Sequence, residues 1–180
     1  MSIGGLLGVI VGLLDDAAIP YMVVGSFASS LHGEPRSTFD LDIVIDPDRA
    51  RLEAFLAAVP ERFYLDADVA RDAFARRSMF NMIDQDSGWK IDLIVRKDRA
   101  FSREEMSRRQ RSTIEGTEVF VASAEDVVLS KLEWAKEGES SRQLDDVRRL
   151  LKVQTSLDTE YLARWVGALD LGAQWDAVTG

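Results

Sequence analysis

The chain has 180 residues and no cysteine, and its 31 acidic residues against 22 lysines and arginines give a formal net charge of −9. The absence of thiols excludes thiol catalysis, disulfides and thiolate zinc sites, and the negative charge argues against a protein whose whole surface binds nucleic acid. With 46% hydrophobic residues, a chain of this length is expected to fold as one globular unit with a full core.

The apolar segment from Ile3 to Leu14 is the first predicted element. It is too short to span a bilayer and lacks the charged start of a signal peptide, so we expect no membrane contact and a cytoplasmic location. Leu6, Ile10 and Leu13 follow helical spacing. This spacing predicts a first helix that packs on a sheet.

A strand, a tight turn, a helix and a second strand are predicted next. The apolar run from Tyr21 to Val24 stops at Gly25-Ser26, after which the chain can turn into a helix. Residues 40–45 alternate between apolar and other side chains, which is typical of a strand with one buried face. Asp40 and Asp42 share the other face of that strand.

The remaining segments predict more strands and then helices. Residues 78–83 and 89–95 should pair as a hairpin, and a further strand is expected at 119–121. Helix starts are predicted at Ser123, at Ser140 or Ser141, and at Asp158. The fold class is therefore α+β: a small mixed sheet with flanking helices over 1–122, followed by a C-terminal helical segment over 123–180 that packs on this core.

Three carboxylates are placed where a sheet would otherwise bury apolar groups. Asp40 and Asp42 lie about 7 Å apart on one strand face, and Asp92 interrupts the apolar run Ile91–Val95. Grouped carboxylates are how enzymes hold Mg²⁺ while leaving positions for water and phosphate. The three acids predict a site for two Mg²⁺ ions, with Mn²⁺ as the alternative. The competing interpretation leaves Asp40 and Asp42 solvated at a sheet edge and pairs Asp92 with an arginine.

Gly25 and Ser26 complement these acids with a predicted phosphate site. A glycine between strand and helix lets the backbone approach a phosphate, while helix N-terminal amides and the serine hydroxyl donate to it. A phosphate site next to a metal site is typical of an enzyme that binds a nucleotide. Arg36, just before the acid strand, either contacts phosphate or neutralises the acids.

The run Val24-Gly25-Ser26, followed after thirteen residues by Asp40-Leu41-Asp42-Ile43, resembles the signature of the nucleotidyltransferase superfamily related to DNA polymerase beta. The resemblance implies that Asp40 and Asp42 bind both catalytic metals, that Asp92 assists the metal on the nucleophile side, and that Gly25 and Ser26 contact phosphate. It also implies transfer of a nucleoside monophosphate from an NTP to an acceptor hydroxyl, with release of pyrophosphate.

A second set of residues resembles the Lys and Arg-Asp motifs of abortive-infection type nucleotidyltransferase toxins. These residues are Lys131, Arg142 and the pair Asp145-Asp146, although the toxins usually place Arg and Asp next to each other. The resemblance implies that Lys131 holds the triphosphate, that Asp146 lies at the nucleotide site, and that a cognate partner protein exists, as in a toxin–antitoxin pair. The alternative for Lys131 is a surface lysine.

The acceptor is left open between RNA, protein and a small molecule. Residues 96–111 carry seven lysines and arginines against three acids, so RNA is one expectation and a helix of solvated arginines is the alternative. Trp134 and Trp165 lie on apolar helical stripes and are predicted in the core. The rival function is a catalytically silent nucleotide sensor or antitoxin-like binding partner.

Overall fold

The computed structural model describes residues 2–33, 40–138 and 140–180. The strands are β1 (Tyr21–Val23), β2 (Asp40–Ile45), β3 (Phe63–Leu65), β4 (Met79–Asp84), β5 (Lys90–Val95), β6 (Gln110–Ile114) and β7 (Thr117–Val121). The helices are α1 (Ile3–Asp16), α2 (Gly25–His32), α3 (Arg49–Ala58), α4 (Ala67–Arg76), α5 (Ala100–Ser107), α6 (Ala124–Gly138), α7 (Ser141–Val153), α8 (Thr159–Ala168) and α9 (Gly172–Thr179).

The strands of the described residues form one mixed sheet in the order β3-β4-β5-β2-β1-β7-β6. Strand β2 pairs in parallel with β5 and β1 pairs in parallel with β7, while the other neighbouring pairs are antiparallel. The predicted α+β fold with a mixed sheet and a helical C-terminal part is confirmed. Strands β2 and β5, which carry the predicted acids, are interior strands and not edges.

Alternation along β2 and β5 gives each strand two different faces. Leu41 and Ile43 on β2, and Ile91 and Leu93 on β5, are completely buried in the core. The residues between them point to the opposite face of the sheet, because successive side chains of a strand alternate. The core therefore fixes the register that also fixes the position of the acids.

Helix α1 packs on β7 and α3, and its buried Leu6, Ile10 and Leu14 cover one face of the sheet. The hydroxyl of Ser2 accepts a hydrogen bond from the backbone N–H of Gly5 and caps this helix. In the part of the chain that the structure describes, no helix combines the length and the apolar character that crossing a membrane requires.

Helix α6 packs against α2, α7 and α8. It begins where the sequence predicts, since the hydroxyl of Ser123 accepts from the backbone N–H of Asp126. The predicted cap of α8 is also present, because the Asp158 carboxylate accepts from the N–H of Tyr161. The division of the chain at residue 122 stays a prediction.

Candidate active site

A cavity of about 360 Å³ lies between the sheet and α6. Its wall includes Gly25 and Ser26 at the start of α2, Asp42 on β2, Asp92 on β5 and Lys131 on α6. These are five of the residues that the sequence singles out. The fold brings them to one cavity from segments that are far apart in the chain.

The register between β2 and β5 places two of the acids side by side. Asp42 lies directly opposite Asp92 in the parallel pairing, and Asp40 lies opposite Lys90. Asp40 is exposed at the start of β2, Asp42 is half-buried, and Asp92 is 7% exposed. The interpretation of Asp42 as a solvated acid at a sheet edge is therefore wrong.

The electrostatics of these acids follow from their burial and their mutual repulsion. Burial raises the pKa of Asp42 above its ordinary value, and the charges of Asp92 and Asp40 raise it further. Lys131 and Lys90 act in the opposite direction. The site thus concentrates negative charge that nearby ammonium groups offset only in part.

Asp92 is paired with a lysine and not with an arginine. Its Oδ2 atom accepts a hydrogen bond from the Lys90 ammonium at 2.7 Å, while its Oδ1 atom is buried and has no hydrogen-bond partner in the structure. A buried carboxylate oxygen without a partner is costly unless a ligand completes its bonding. Asp92 therefore has one buried oxygen whose bonding a cation would complete.

A glycine is required at position 25 because the start of α2 lies very close to Asp42 on β2. Its φ of +62° lies in the left-handed region, and a Cβ at this position would overlap the carboxylate of Asp42. The backbone N–H of Val24 also donates to the carbonyl of Asp42 at 2.9 Å. Because α2 has no side-chain N-cap, its first turn presents backbone N–H groups beside Ser26, as a phosphate site requires.

Lys131 is buried, so its interpretation as a surface lysine is wrong. Its side chain is 5% exposed, and its ammonium donates to Asp146 at 2.8 Å and to Gln143 at 3.0 Å. Asp146 on α7 contacts Lys131 but is not part of the cavity wall. A direct contact between Asp146 and a nucleotide stays a prediction, and Arg36 lies outside the described residues.

The donor set suits a hard divalent cation, because carboxylate oxygens are the ligands that Mg²⁺ prefers. The partnerless Oδ1 of Asp92 supports this fit. Over residues 2–33, 40–138 and 140–180, however, no three His, Cys, Asp or Glu side chains are grouped closely enough to hold an ion. The acids share one face of the sheet, on β2 and β5, but they do not form a preassembled three-carboxylate cluster.

The sequence analysis missed Glu105, which lies on α5 and lines the same cavity. It is 6% exposed and accepts a hydrogen bond from the Ser130 hydroxyl at 2.9 Å. Burial, followed by the charge of Asp126, raises the pKa of Glu105 to about 8. Its signal in the sequence is weak, because it stands among exposed charged residues of a short helix.

Trp134 lines the cavity and is 51% exposed, so its predicted place in the core is wrong. Trp165 is buried, as predicted. Val127, Ser130, Lys131 and Trp134 lie on one face of α6 by their helical spacing, and all line the cavity. That mixed polar and apolar face is the signal that separates a cavity wall from a core stripe.

The basic segment 96–111 is largely neutralised by acids of neighbouring elements. Arg96 pairs with Asp46 on the connection after β2. Other pairs join Lys97 to Glu137, Arg99 to Glu133, Arg103 to Asp98, and Arg108 to Glu125 and Asp126. The guanidinium groups of Arg109 and Arg111 lie over the ring of Phe120. Most of the charge excess that motivated an RNA acceptor is thus held in ion pairs and ring contacts within the chain.

No protein-family model and no curated protein match the chain. Among solved structures, the antibiotic-resistance factor ANT(2'')-Ia is 17% identical, with 97% of this chain and 93% of that chain covered and a TM-score of 0.60. It has also been solved with adenylyl-2''-tobramycin. An antigenic nucleotidyltransferase-like protein from Paracoccidioides brasiliensis is 18% identical over 97% and 92%, with a TM-score of 0.59.

The lincosamide antibiotic adenylyltransferase LnuA, solved with lincomycin, is 12% identical over 82% of this chain and 96% of its own, with a TM-score of 0.52. At these identities the likeness establishes the fold and leaves the reaction to be argued from the site. The resemblance to abortive-infection toxins stays a prediction.

Proposed function

We propose that this chain, whose fold is that of the nucleotidyltransferases, is a Mg²⁺-dependent enzyme that moves a nucleoside monophosphate from an NTP to an acceptor hydroxyl and releases pyrophosphate. One observation carries the proposal. The in-register pair Asp42 and Asp92 shares a cavity with the Gly25-Ser26 turn and with the buried ammonium of Lys131. Acids for cations and donors for phosphate thus face the same space.

Each side chain has a defined role in this proposal. The backbone N–H groups at Gly25 and Ser26 bind phosphate oxygens, and the Lys131 ammonium, fixed by Asp146 and Gln143, offsets triphosphate charge. Asp40, Asp42 and Asp92 hold two Mg²⁺ ions, with Mn²⁺ as a substitute. Bound ions of this kind polarise the reacting phosphate and stabilise the leaving pyrophosphate.

The acceptor is proposed to be a small molecule. The cavity has a volume of about 360 Å³, which lies within the range of small-molecule sites. The basic residues after β5 are not left to bind a nucleic acid, because Arg99 pairs with Glu133 and Lys97 pairs with Glu137 on α6. The ligands seen with ANT(2'')-Ia and LnuA are small molecules as well. Because NTPs and Mg²⁺ abound in the cytoplasm, the proposed reaction belongs there.

The proposal is tested by incubating the protein with one α-³²P-labelled NTP at a time, Mg²⁺, and cellular small-molecule, RNA or protein fractions. We expect label in the small-molecule fraction with the native chain and none with Asp42→Asn. Asp176→Asn, an exposed acid on α9, is the matched control and should retain activity. Label in RNA or protein would reject the small-molecule acceptor, and nucleotide binding without transfer would favour the sensor.

A further inference from the structure

We propose that Lys90 is a built-in counter-ion of the acid site, which holds the Asp92 carboxylate in the metal-free protein and leaves it when a divalent cation binds. This inference rests on the proposed function, because it concerns the same three acids. It assigns Lys131 in the cavity wall and Lys90 at the start of β5 different tasks. Lys131 is a fixed cation for phosphate, whereas Lys90 is a movable cation that exchanges with the metal.

The strand geometry places Lys90 beside the acids. Lys90 and Asp92 are two residues apart on β5 and therefore point to the same face of the sheet, where their side chains are joined at 2.7 Å. In the register with β2, Lys90 lies opposite Asp40 and Asp92 lies opposite Asp42. The ammonium is thus attached to one acid and adjacent to the other two.

The strand on the other side of β5 supplies no competing charge at these positions. On β4, Ile83 lies opposite Lys90 and Asn81 lies opposite Asp92, and both side chains are uncharged. Across the described part of β2, β4 and β5, Lys90 is the cation in register with the acid row. Within these three strands, Lys90 is therefore the cation that offsets the acids, while Lys131 acts on Asp42 from α6.

The bonding of Asp92 shows why a metal ion and Lys90 compete. Oδ1 of Asp92 has no partner, but Oδ2 is bound by Lys90, so a cation that draws on both oxygens meets an ammonium already in contact. Two like charges on one carboxylate oxygen repel each other. This pairing also agrees with the lack of a preassembled three-acid group in the described residues.

Exposure decides which lysine can move. The side chain of Lys90 is 40% exposed, so it can rotate toward solvent without disturbing the core. Lys131 is held between α6 and α7 by two hydrogen bonds. Its displacement would leave Asp146 buried without its cation, at a much higher cost.

Metal affinity measured by calorimetry with MgCl₂ or MnCl₂ alone tests the exchange. Lys90→Met keeps the length of the side chain and removes its charge, so we expect metal affinity to rise about tenfold, the effect of removing one competing charged hydrogen bond. The melting temperature in EDTA should fall at the same time, because the acids lose their counter-ion. Lys90→Arg should restore both values toward those of the native chain.

Lys97→Met is the matched control, since Lys97 lies just beyond the end of β5 but pairs with Glu137 on α6 and not with the three acids. It should change neither metal affinity nor the EDTA melting temperature by a comparable amount. In the native chain, the Lys90 Nζ resonance should shift on addition of Mg²⁺ while that of Lys97 stays in place. This second measurement needs no substitution and therefore does not depend on the folding of a variant.

The outcomes separate this inference from the proposed function. The exchange would be overturned if Lys90→Met bound the metal as tightly as the native chain or more weakly. It would also be overturned if the Lys90 Nζ resonance did not shift while Mg²⁺ binds. Either result would leave the enzyme proposal standing. Absence of metal binding by the native chain and by all variants at millimolar concentration would overturn both.

Discussion

Gly25 combines two separate demands, a left-handed backbone and the space of a missing Cβ. Gly25→Ala should lower the free energy of unfolding and abolish nucleotide binding, because the new methyl group overlaps the Asp42 carboxylate. Gly88→Ala is the control: Gly88 has a φ of +75° but no atom near the position of a Cβ. That variant should lose only the conformational strain of about 1–2 kcal/mol. Chemical denaturation and nucleotide titration measure both effects, and equal losses in the two variants would contradict the steric role.

Asp42 illustrates the cost of collecting carboxylates. Since burial and the charges of Asp92 and Asp40 raise its pKa, its ionised form is less favourable in the folded chain than in the unfolded chain. Asp42→Asn should therefore melt in EDTA at the same temperature as the native chain or higher, while metal-dependent transfer is lost. A clear fall in the EDTA melting temperature together with an unchanged metal response would show that Asp42 is structural.

At the scale of elements, Lys131 joins α6 to α7. Lys131→Met should destabilise the chain by about 3–5 kcal/mol, because it breaks a buried ion pair with Asp146. The double variant Lys131→Met/Asp146→Asn also removes the buried carboxylate charge and should recover part of the loss, yet it should still bind NTP weakly. Urea denaturation and nucleotide titration separate these effects. Full recovery of NTP binding in the double variant would assign Lys131 to folding alone.

The buried carboxyl of Glu105 on α5, which contacts Ser130 on α6, should make the free energy of unfolding depend on pH. The pKa of Glu105 rises from 4.5 unfolded to about 8 folded, so its contribution is fully present below pH 4.5 and is lost as pH rises through 8. The buried carboxyl faces Asp126 and Glu133 on α6 and Arg99 before α5, while Arg108 pairs with Asp126.

Glu105→Gln should therefore gain stability relative to the native chain as the pH increases from 5 to 9. Unfolding free energies measured across that interval test the difference. Glu160→Gln, an exposed acid on α8, controls for the loss of one carboxyl group. Parallel pH profiles for the native chain and Glu105→Gln would contradict a buried, protonated Glu105.

The elements that the sequence predicts are those with a strong local signal. Strand β2 alternates between buried and less buried residues over six positions, strand β5 is an apolar run that Asp92 interrupts, and α6 and α8 begin at the capping residues Ser123 and Asp158. Strand β3 has three residues, too few to show a period. Strand β6 is mostly polar and exposed. The apolar side of α4 is small, since only Ala70 and Ala73 are buried and Phe74 is partly buried.

The residues of the candidate site also separate into those with a strong local signal in the sequence and those without one. Gly25, Ser26, Asp42 and Asp92 are predictable, because a turn and two strands with a strong apolar pattern fix them locally. The position of Glu105 depends on how α5 crosses the sheet, which no local pattern encodes. Trp134 resembles a core residue when only the apolar positions of α6 are counted, whereas Ser130 and Lys131 on the same face indicate a cavity wall.

At the scale of the whole molecule, a ligand that binds only the folded chain stabilises all of it. NTP with Mg²⁺ should raise the melting temperature more than either alone. The corresponding gain in the free energy of unfolding is about 2.7 kcal/mol at a hundredfold excess of ligand over Kd. Thermal melts over a concentration series measure this, with Asp42→Asn as the control that loses the joint effect. No shift at millimolar NTP would contradict both an enzyme and a sensor.

Asp42 and Asp92 are neighbours in the sheet but fifty positions apart in the chain. Their meeting raises the contact order, and pairings of this range form slowly, because a long loop must close first. Leu41, Ile43 and Leu93 drive that closure from the buried face of the same strands. A partly folded chain in which β2 and β5 have not yet paired therefore contains Asp42 and Asp92, but the two carboxylates do not yet lie side by side and cannot bind one ion.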